Sequence, residues 1–351
     1  MIKVAINGFG RIGRLAFREM ITGSDFECVA INDLTNAEDL AYLLKYDTNH
    51  RSFHEDKISY EGDEIIINDR KRIKVFSEKD PENLPWKELK VDVVLECTGA
   101  FTKKEDAEKH ILAGAKKVII SAPGKGDMKT IVYNVNDDTL TGDEEIISAA
   151  SCTTNCLAPV LKVIEDNYGI EKGFMTTVHA YTNDQATLDI PHKKGIASRR
   201  GRACAANIVP TSTGAASAIG KVIPTLDGKL DGNALRVPVP DGSVVDVTLE
   251  LKKETTEEEI NRLFEENQNE TLKITMDPVV SSDVIGKKIG ALVDGLSTKV
   301  LNTDKGQLVK IIAWYDNEMG YTSQMMRTAK KLMERWLYHL FLSTKNILVV
   351  L

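Results

Sequence analysis

The first third of the chain alternates short apolar runs with amphipathic stretches. An apolar run from Ile2 to Ile6 is followed by a glycine-rich turn, an amphipathic stretch from Arg14 to Ile21, and a second apolar run that ends in VAINDL. Two further runs, VDVVLECTG (91–99) and KKVIISAP (116–123), flank the helical pattern KKEDAEKHILAGA. Strands that alternate with helices are typical of parallel sheets. The pattern predicts an α/β region with a doubly wound parallel sheet and helices on both faces.

The pattern changes after Cys152. The segment GSVVDVTLELKK (242–253) alternates apolar and polar residues, which is typical of a half-buried antiparallel strand. The acidic segment ETTEEEINRLFEEN predicts a helix whose N-cap is Thr255 or Thr256 and whose charged run forms a solvated face. We therefore expect a second, α+β domain with a largely antiparallel sheet.

Composition limits the function classes. The chain has 351 residues, of which 42% are hydrophobic and 28% charged, as in a globular protein of about two domains. The formal net charge of −7 argues against nucleic acid as the main partner, because duplex binding needs concentrated Lys and Arg. The five cysteines, an odd number spread along the chain, do not indicate a disulfide framework. This favours a reducing, cytoplasmic location.

Neither end of the chain carries an export or membrane pattern. The N-terminal MIKVAINGFG lacks the basic stretch, the long apolar run and the cleavage site of a secretory signal. The C-terminal WLYHLFLSTKNILVVL is interrupted by polar residues at 343–346 and falls short of the roughly 18 apolar residues that span a bilayer. We predict no membrane partner.

A glycine-rich loop follows the first predicted strand and precedes a helix. Gly8, Gly10 and Gly13 fit the pattern G-x-G-x-x-G, which allows a tight turn, close approach of a pyrophosphate and close packing of helix on strand. Asp33 lies 20 positions after Gly13, at the end of the second strand, where a carboxylate can hold a ribose 2′-hydroxyl. No Arg adjoins Asp33 to accept a 2′-phosphate. The loop predicts a Rossmann-type domain that binds NAD.

A nucleophilic cysteine is predicted at the start of a helix. Cys152 follows an apolar strand and leads into the apolar-periodic run LAPVLKVIEDNY. The dipole and free N–H groups of a helix N-terminus lower the pKa of a thiol. His179 ends the apolar run FMTTVHA, where catalytic groups gather in open sheets, and it is the candidate base.

Other thiols and imidazoles fit catalysis or metal binding less well. Cys156 lies one turn into the same predicted helix, where packing is the favoured role over a Cys152–Cys156 disulfide or a two-thiolate metal site. His50 and His54 have helical spacing but lack the Glu that a zinc hydrolase helix carries after its first His. We predict no metal.

Seven strings along the chain together resemble phosphorylating glyceraldehyde-3-phosphate dehydrogenase. They are, in the order of that family, INGFGRIGR, AINDLT, SAASCTTNCLAP, TTVHAYTNDQ, NIVPTSTGAA, LRVPVP and WYDNEMGY. The resemblance covers about residues 1–334. It implies an NAD-dependent enzyme of glycolysis and gluconeogenesis that converts D-glyceraldehyde 3-phosphate and inorganic phosphate to 1,3-bisphosphoglycerate through a thioester on Cys152.

The resemblance also implies roles for residues of the substrate site. His179 would hold Cys152 as thiolate and move protons. The inorganic-phosphate ligands would be hydroxyls and backbone amides of Ser151, Thr153, Thr213 and Gly214, and the ligands of the substrate's own phosphate would be Thr182, Arg200 and Arg236. Because the loop GIASRRGRACAAN departs in length from the usual one, Arg199 or Arg202 remains an alternative to Arg200.

On the cofactor side, Arg11 and Ile12 would line the pyrophosphate, and Thr98 and Ser121 would contact the sugar and adenine. Asn317 resembles the residue that hydrogen-bonds the nicotinamide carboxamide and fixes which ring face meets the substrate. The pair Ile190-Pro191 resembles a loop that reaches the cofactor of a neighbouring subunit, which implies NAD preference and a homotetramer.

These implications divide the chain into four predicted segments. They are an NAD-binding Rossmann domain at 1–151, a catalytic domain at 152–316, a C-terminal helix that returns to the NAD domain at 317–334, and an apolar tail at 335–351 that departs from the family. Two alternative functions remain. One is erythrose-4-phosphate dehydrogenase, which hydrolyses the thioester; the other is an NAD-gated binding protein.

Overall fold

The computed structural model describes residues 1–193 and 195–348, and it describes only the backbone of the helix at 343–348. The chain forms two compact units. The first contains Met1–Ala150 and the chain from Met325 onward, and the second contains Ser151–Gln324.

The first unit is built on one mixed sheet. Its strand order is β3-β4-β5-β2-β1-β6-β7-β9-β8. Pairing is parallel from β5 to β8, and β3 and β4 are antiparallel at one edge. The strands are β1 (Ile2–Asn7), β2 (Phe26–Asn32), β3 (Ile58–Glu61), β4 (Glu64–Ile67), β5 (Lys71–Phe76), β6 (Val93–Glu96), β7 (Lys117–Ile120), β8 (Lys129–Thr130) and β9 (Ile146–Ser148).

Helices connect these parallel strands, as the alternating pattern predicts. They are α1 (Arg11–Thr22), α2 (Ala37–Lys45), α3 (Trp86–Leu89) and α4 (Lys104–Leu112). A core of fully buried side chains, including Ala5, Val94, Trp86, Ala107 and Val118, lies between sheet and helices. The prediction of a doubly wound parallel sheet is confirmed.

The second unit contains a largely antiparallel sheet of order β11-β12-β10-β13-β17-β15-β14, with β16 paired to β17. Only the pairs β10–β12 and β14–β15 in the described sheet are parallel. Its strands are β10 (Ile170–Ala180), β11 (Val209–Ser212), β12 (Leu230–Val237), β13 (Ser243–Leu251), β14 (Leu272–Thr275), β15 (Ala291–Asp294), β16 (Lys299–Thr303) and β17 (Gly306–Tyr315).

Two helices of the second unit, α5 (Cys152–Tyr168) and α7 (Glu257–Glu266), begin where the sequence predicts them. A third helix, α6 (Ala215–Val222), is not among the predicted elements. Thr256 caps α7 by accepting from the Glu259 N–H, and the Glu259 carboxylate accepts from the Thr256 N–H in return. The expected N-cap and the α+β class of this unit are confirmed.

The last helix is longer than predicted. A single helix, α8 (Met319–Leu348), runs through the expected boundary at 334 into the apolar tail. Met325, Ala329 and Met333 are buried, whereas Leu337 and Phe341 are more than half exposed. Residues 349–351 of the tail lie outside the described residues. In the described part of the chain, no helix combines the length and the hydropathy of a membrane span.

Candidate active site

Cys152 is the first residue of α5, as its sequence context predicts. The Ser151 hydroxyl caps the helix by accepting from the Thr154 N–H at 3.1 Å. The residue before the cap, Ala150, is buried and has a φ of 58°, in the left-handed region that a residue with a Cβ rarely adopts. A strained turn therefore presents Cys152 at the head of the helix.

His179 lies beside the thiol. Its Nε2 is 3.3 Å from the Cys152 Sγ. Its Nδ1 is 2.7 Å from the Ala180 carbonyl oxygen, which can only accept a hydrogen bond. Nδ1 must therefore carry the proton of the neutral ring, and the Nε2 lone pair faces the thiol. This is the arrangement in which an imidazole takes a proton from sulfur.

Both members of the pair are costly to charge separately. Desolvation by surrounding side chains raises the pKa of Cys152, and it outweighs the Arg236 guanidinium and the hydrogen bonds from Thr153. The expectation that the helix N-terminus leaves this thiol with a lowered pKa is wrong in its net direction. Burial and the Arg236 cation lower the pKa of His179 to about 3. One proton is therefore shared by the Sγ–Nε2 pair over the neutral pH range.

A buried tyrosine, Tyr315, packs against the Cys152–His179 pair. The Tyr315 ring meets the His179 ring edge-on, with centroids 5.9 Å apart. The Tyr315 hydroxyl lies 2.9 Å from Thr153 Oγ1 and 2.8 Å from Thr177 Oγ1. Burial raises the pKa of Tyr315 far above its usual value, so the phenol stays neutral. Tyr315 lies in the string WYDNEMGY, but that string does not show its contacts with Thr153 and Thr177, because they depend on the register of β17.

Arg236 is brought to the pair by strand register. β10 and β12 are parallel, and His179 pairs directly with Arg236. The Arg236 Nη1 donates to Thr182 Oγ1 at 2.6 Å and to the Ala180 carbonyl at 3.2 Å. The Thr182 hydroxyl in turn donates to Asp184, which forms an ion pair with Arg200. Three residues that the family resemblance implies for the substrate's phosphate, Thr182, Arg200 and Arg236, thus share one polar cluster.

Two donors in this cluster are buried without a partner among the described residues. They are the Arg236 Nε and the Gln185 Nε2. The Gln185 Oε1 accepts from the Thr182 N–H at 3.4 Å and from Arg236 Nη1 at 3.5 Å, so its amide nitrogen must point elsewhere. Buried unpaired donors are rare and suit an anion that is not part of the chain.

The three candidate arginines of the 195–207 loop differ in placement. Arg200 Nε donates to Thr211 Oγ1 at 3.0 Å, and 18% of its side chain is exposed. Arg202 is 64% exposed and forms an ion pair with Asp189 at 3.0 Å. Arg199 is exposed. The contact with Asp184 favours Arg200 among the three.

The remaining residues that the resemblance implies for inorganic phosphate lie at helix starts. Ser151 precedes α5, and Thr153 is in its first turn. Thr213 and Gly214 precede α6, where the Thr213 hydroxyl accepts from the Ala215 N–H at 3.1 Å. Cys156 is fully buried, and its Sγ contacts the Ala313 carbonyl at 3.7 Å, as in a packing role.

In the first unit, the glycine loop has the shape that a dinucleotide needs. Gly8 has a φ of +90°, and a Cβ there would lie 2.7 Å from the Thr98 nitrogen. A Cβ on Gly13 would lie 2.2 Å from the Gly8 carbonyl oxygen. No side chain caps α1 in the described structure, so its first N–H groups remain available to a pyrophosphate.

A cavity of about 390 Å³ opens beside this loop. Gly10, Asp33 and Thr98 line it. Asp33 Oδ2 accepts from the Phe9 N–H at 2.7 Å, which fixes the carboxylate against the loop. These features fit a dinucleotide such as NAD.

The other predicted cofactor residues are placed less directly. Arg11 and Ile12 begin α1, but the Arg11 guanidinium is paired with Asp47. Its hydrogen bonds lower the pKa of Asp47 to about 2, against the effect of burial. The Arg11 guanidinium is therefore already paired, and the pyrophosphate contact that the resemblance implies for Arg11 would fall to its backbone N–H. Ser121 follows β7, at the carboxyl edge of the parallel sheet.

A buried polar network supports the cavity wall, and the sequence interpretation does not include it. Glu96, 1% exposed, accepts from Asn7 Nδ2 at 2.6 Å, from the Thr98 N–H at 2.8 Å, and from His110 Nε2 at 3.1 Å. His110 Nδ1 accepts from Trp86 Nε1 at 3.0 Å, which leaves the ring proton on Nε2. One sequence feature could have indicated this network: three buried strands each end in a polar residue, namely Asn7, Asn32 and Glu96.

Asn317 lies just after β17, in the second unit. Its Oδ1 accepts from the Ser243 hydroxyl at 2.7 Å, and the side chain is 6% exposed. Ser243 is not among the predicted site residues.

Comparison with known families identifies both parts of the chain. Residues 2–104 match the NAD binding domain of glyceraldehyde 3-phosphate dehydrogenase, and residues 151–317 match its C-terminal domain. These matches include the glycine loop, Asp33, Cys152 and His179.

Relatives of that name align over nearly the whole chain. The glyceraldehyde-3-phosphate dehydrogenase of Clostridium pasteurianum is 60% identical over 328 residues, which is 93% of this chain and 97% of the relative. Those of Clostridium acetobutylicum and Streptococcus pyogenes are 58% and 54% identical over 328 and 330 residues, with the same coverage. The chain belongs to the glyceraldehyde 3-phosphate dehydrogenase family, and it is an NAD-dependent dehydrogenase.

Proposed function

We propose that this enzyme oxidises D-glyceraldehyde 3-phosphate and phosphorylates it to 1,3-bisphosphoglycerate, through a thioester on Cys152. The observation that carries the proposal is the Sγ–Nε2 contact of 3.3 Å between Cys152 and His179. A thiol that shares its proton with an imidazole can attack an aldehyde carbon and form a hemithioacetal.

His179 acts as the base at two points. Its Nε2 takes the thiol proton as sulfur attacks, because Nδ1 is committed to the Ala180 carbonyl. After that proton passes to solvent or to the substrate oxygen, Nε2 is free to take the hydroxyl proton of the hemithioacetal. Bound NAD supplies a hydride acceptor at the nicotinamide C4. The product on sulfur is an acyl thioester.

Anion ligands position the substrate and the second reactant. The ligands of the substrate's own phosphate are Arg236, Thr182 and Arg200. Asp184 connects Arg200 to Thr182. The unpaired Arg236 Nε supports this role, because it is a buried donor with no partner in the described chain. Ser151, Thr153, Thr213 and Gly214 bind inorganic phosphate, which attacks the thioester and releases Cys152.

For the cofactor, Asp33 holds the ribose and the first turn of α1 binds the pyrophosphate. Thr98 and Ser121 contact the adenine side, and Asn317 binds the nicotinamide carboxamide. Asp33 repels a 2′-phosphate, so it discriminates against NADP.

Two substitutions test the catalytic roles. Cys152→Ser should abolish both turnover and labelling by iodoacetate, and His179→Asn should slow both by about 10² to 10⁴. Steady-state assays and intact-mass measurement of the label report the two effects. Retained turnover in Cys152→Ser would refute the proposed nucleophile.

We also propose that the enzyme is a homotetramer in the cytoplasm. The segment around Ile190 and Pro191 exposes several large apolar side chains that a second copy could cover: Leu188, Ile190, Ile196 and Ile208. The five cysteines are free, as suits a reducing compartment. Light scattering of the wild type and of Ile196→Glu should show a tetramer that the charged substitution weakens. A monomeric wild type would contradict the assembly.

A further inference from the structure

Ser243 lies between the catalytic base and Asn317. It is the first residue of β13, and its side chain is 1% exposed. Its Oγ accepts from the Ala180 N–H at 3.1 Å, and its hydroxyl is 2.7 Å from Asn317 Oδ1. Strand register places it there, because Val244 pairs with Val178 and Ser243 pairs with Tyr315.

The two peptide groups of Ala180 serve different partners. Its carbonyl accepts from His179 Nδ1 at 2.7 Å, and its N–H donates to Ser243. The same short backbone segment therefore sets the imidazole tautomer and holds the serine oxygen. Ser243 extends this connection to the side chain of Asn317.

The hydrogen-bond directions along this chain are fixed. The Ala180 N–H can only donate, so the Ser243 oxygen accepts from it. The Ser243 hydroxyl has one proton, and Asn317 Oδ1 is the only acceptor that the described residues offer it. The amide must then present its oxygen to Ser243 and its Nδ2 donors on the other side, an assignment that hydrogen bonding decides.

We propose that Ser243 is a positioning residue for hydride transfer. Its hydroxyl holds the Asn317 amide in the orientation that donates to the nicotinamide carboxamide, and ties that amide to the backbone that orients His179. Without this hydroxyl the Asn317 side chain can turn over and present its oxygen to the carboxamide oxygen, which repels it. The inference rests on the proposed role of Asn317 in cofactor binding.

The test compares NAD with ADP-ribose, which has the same adenine, pyrophosphate and ribose but no nicotinamide. Ser243→Ala should weaken NAD binding by about 5- to 10-fold, because one buried hydrogen bond is lost. It should leave ADP-ribose binding unchanged. Calorimetric titration of the two ligands and the rate of NADH formation in a single turnover measure these effects.

Three controls separate positioning from damage to the fold. Ser243→Cys fills nearly the same space but donates weakly, and should also lose the preference for NAD. Thr248→Val removes another hydroxyl from β13 and should keep the preference for NAD over ADP-ribose. In the background of Asn317→Ala, adding Ser243→Ala should cause no further loss of NAD affinity, because the amide it positions is absent.

Equal weakening of NAD and ADP-ribose would overturn the proposal, since it would indicate a structural role alone. Unchanged NAD binding in both Ser243→Ala and Ser243→Cys would overturn it as well. Neither result would touch the role of Cys152, whose failure would appear as retained turnover in Cys152→Ser.

Discussion

The two polar clusters of this enzyme, one in each unit, are built in opposite ways. Around Glu96, a buried carboxylate is surrounded by donors from Asn7, Thr98 and His110, and each side-chain nitrogen and oxygen of this network has a partner. Around Arg236, two buried donors have no partner in the described chain, and the neighbouring thiol and imidazole share one proton. The first cluster is complete without a ligand, and the second is not.

This difference distinguishes a cluster that supports the fold from a cluster that binds a ligand. A fully bonded buried network is rigid, and it can hold the wall of the cofactor cavity in place before NAD arrives. A cluster with unpaired donors costs stability until an anion satisfies it. Substitutions in the Glu96 network should therefore change stability, whereas substitutions around Arg236 should change ligand affinity and catalysis.

The largest effect on stability is expected for Glu96→Ala. Removing the carboxylate takes the acceptor from the buried Asn7 Nδ2 and His110 Nε2 and from the Thr98 N–H, and each buried donor left unsatisfied typically costs about 1–3 kcal/mol. The midpoint of urea denaturation should fall, while the exposed Glu105→Ala should leave it near the wild-type value. A Glu96→Ala variant as stable as Glu105→Ala would break the comparison.

Arg236→Ala should lower the affinity for the substrate rather than the stability of the fold. Hydrogen bonds to a charged group are worth about 1.5–3 kcal/mol, so the KM for glyceraldehyde 3-phosphate should rise by about 10- to 100-fold. Arg236→Lys keeps the charge but loses the planar fork and should recover part of the loss. Thermal unfolding should show little change in Tm. A large loss of stability with an unchanged KM would reverse the assignment.

A smaller effect is expected in the pH dependence of thiol alkylation. Because the pKa of His179 is lowered to about 3, solvent does not protonate Nε2 anywhere in pH 5–9, and wild-type labelling by iodoacetamide should show no bend near 6.5. In His179→Asn the thiol must lose its proton to water against a raised pKa, so labelling should increase with pH in the alkaline range. Superimposable profiles would show that the pair does not share a proton.

The sequence predicts the local parts of this architecture well. The glycine loop, the helix that begins at Cys152 and the N-cap at Thr256 are encoded by neighbouring residues, and the structure contains each of them. The roles of Arg236, Thr182 and Asn317 came from the family resemblance rather than from their residue patterns.

What the sequence does not reveal depends on strand register and burial. The pairing of His179 with Arg236, and of Ser243 with Tyr315, joins strands that are distant in the chain. The predicted direction of the Cys152 pKa shift was wrong, because the sequence reveals the helix N-terminus but not the desolvation of the thiol. The continuation of α8 beyond 334 has no functional explanation in this structure.

The most direct test of the thioester mechanism is a rapid-mixing measurement of NADH with and without inorganic phosphate. Without phosphate, enzyme mixed with NAD and glyceraldehyde 3-phosphate should release a burst of about one NADH per reactive thiol and then slow sharply, because the acyl group remains on Cys152. Adding phosphate should restore continuous turnover. Steady NADH formation at the same rate without phosphate would contradict the phosphorylating reaction and favour hydrolysis of the thioester.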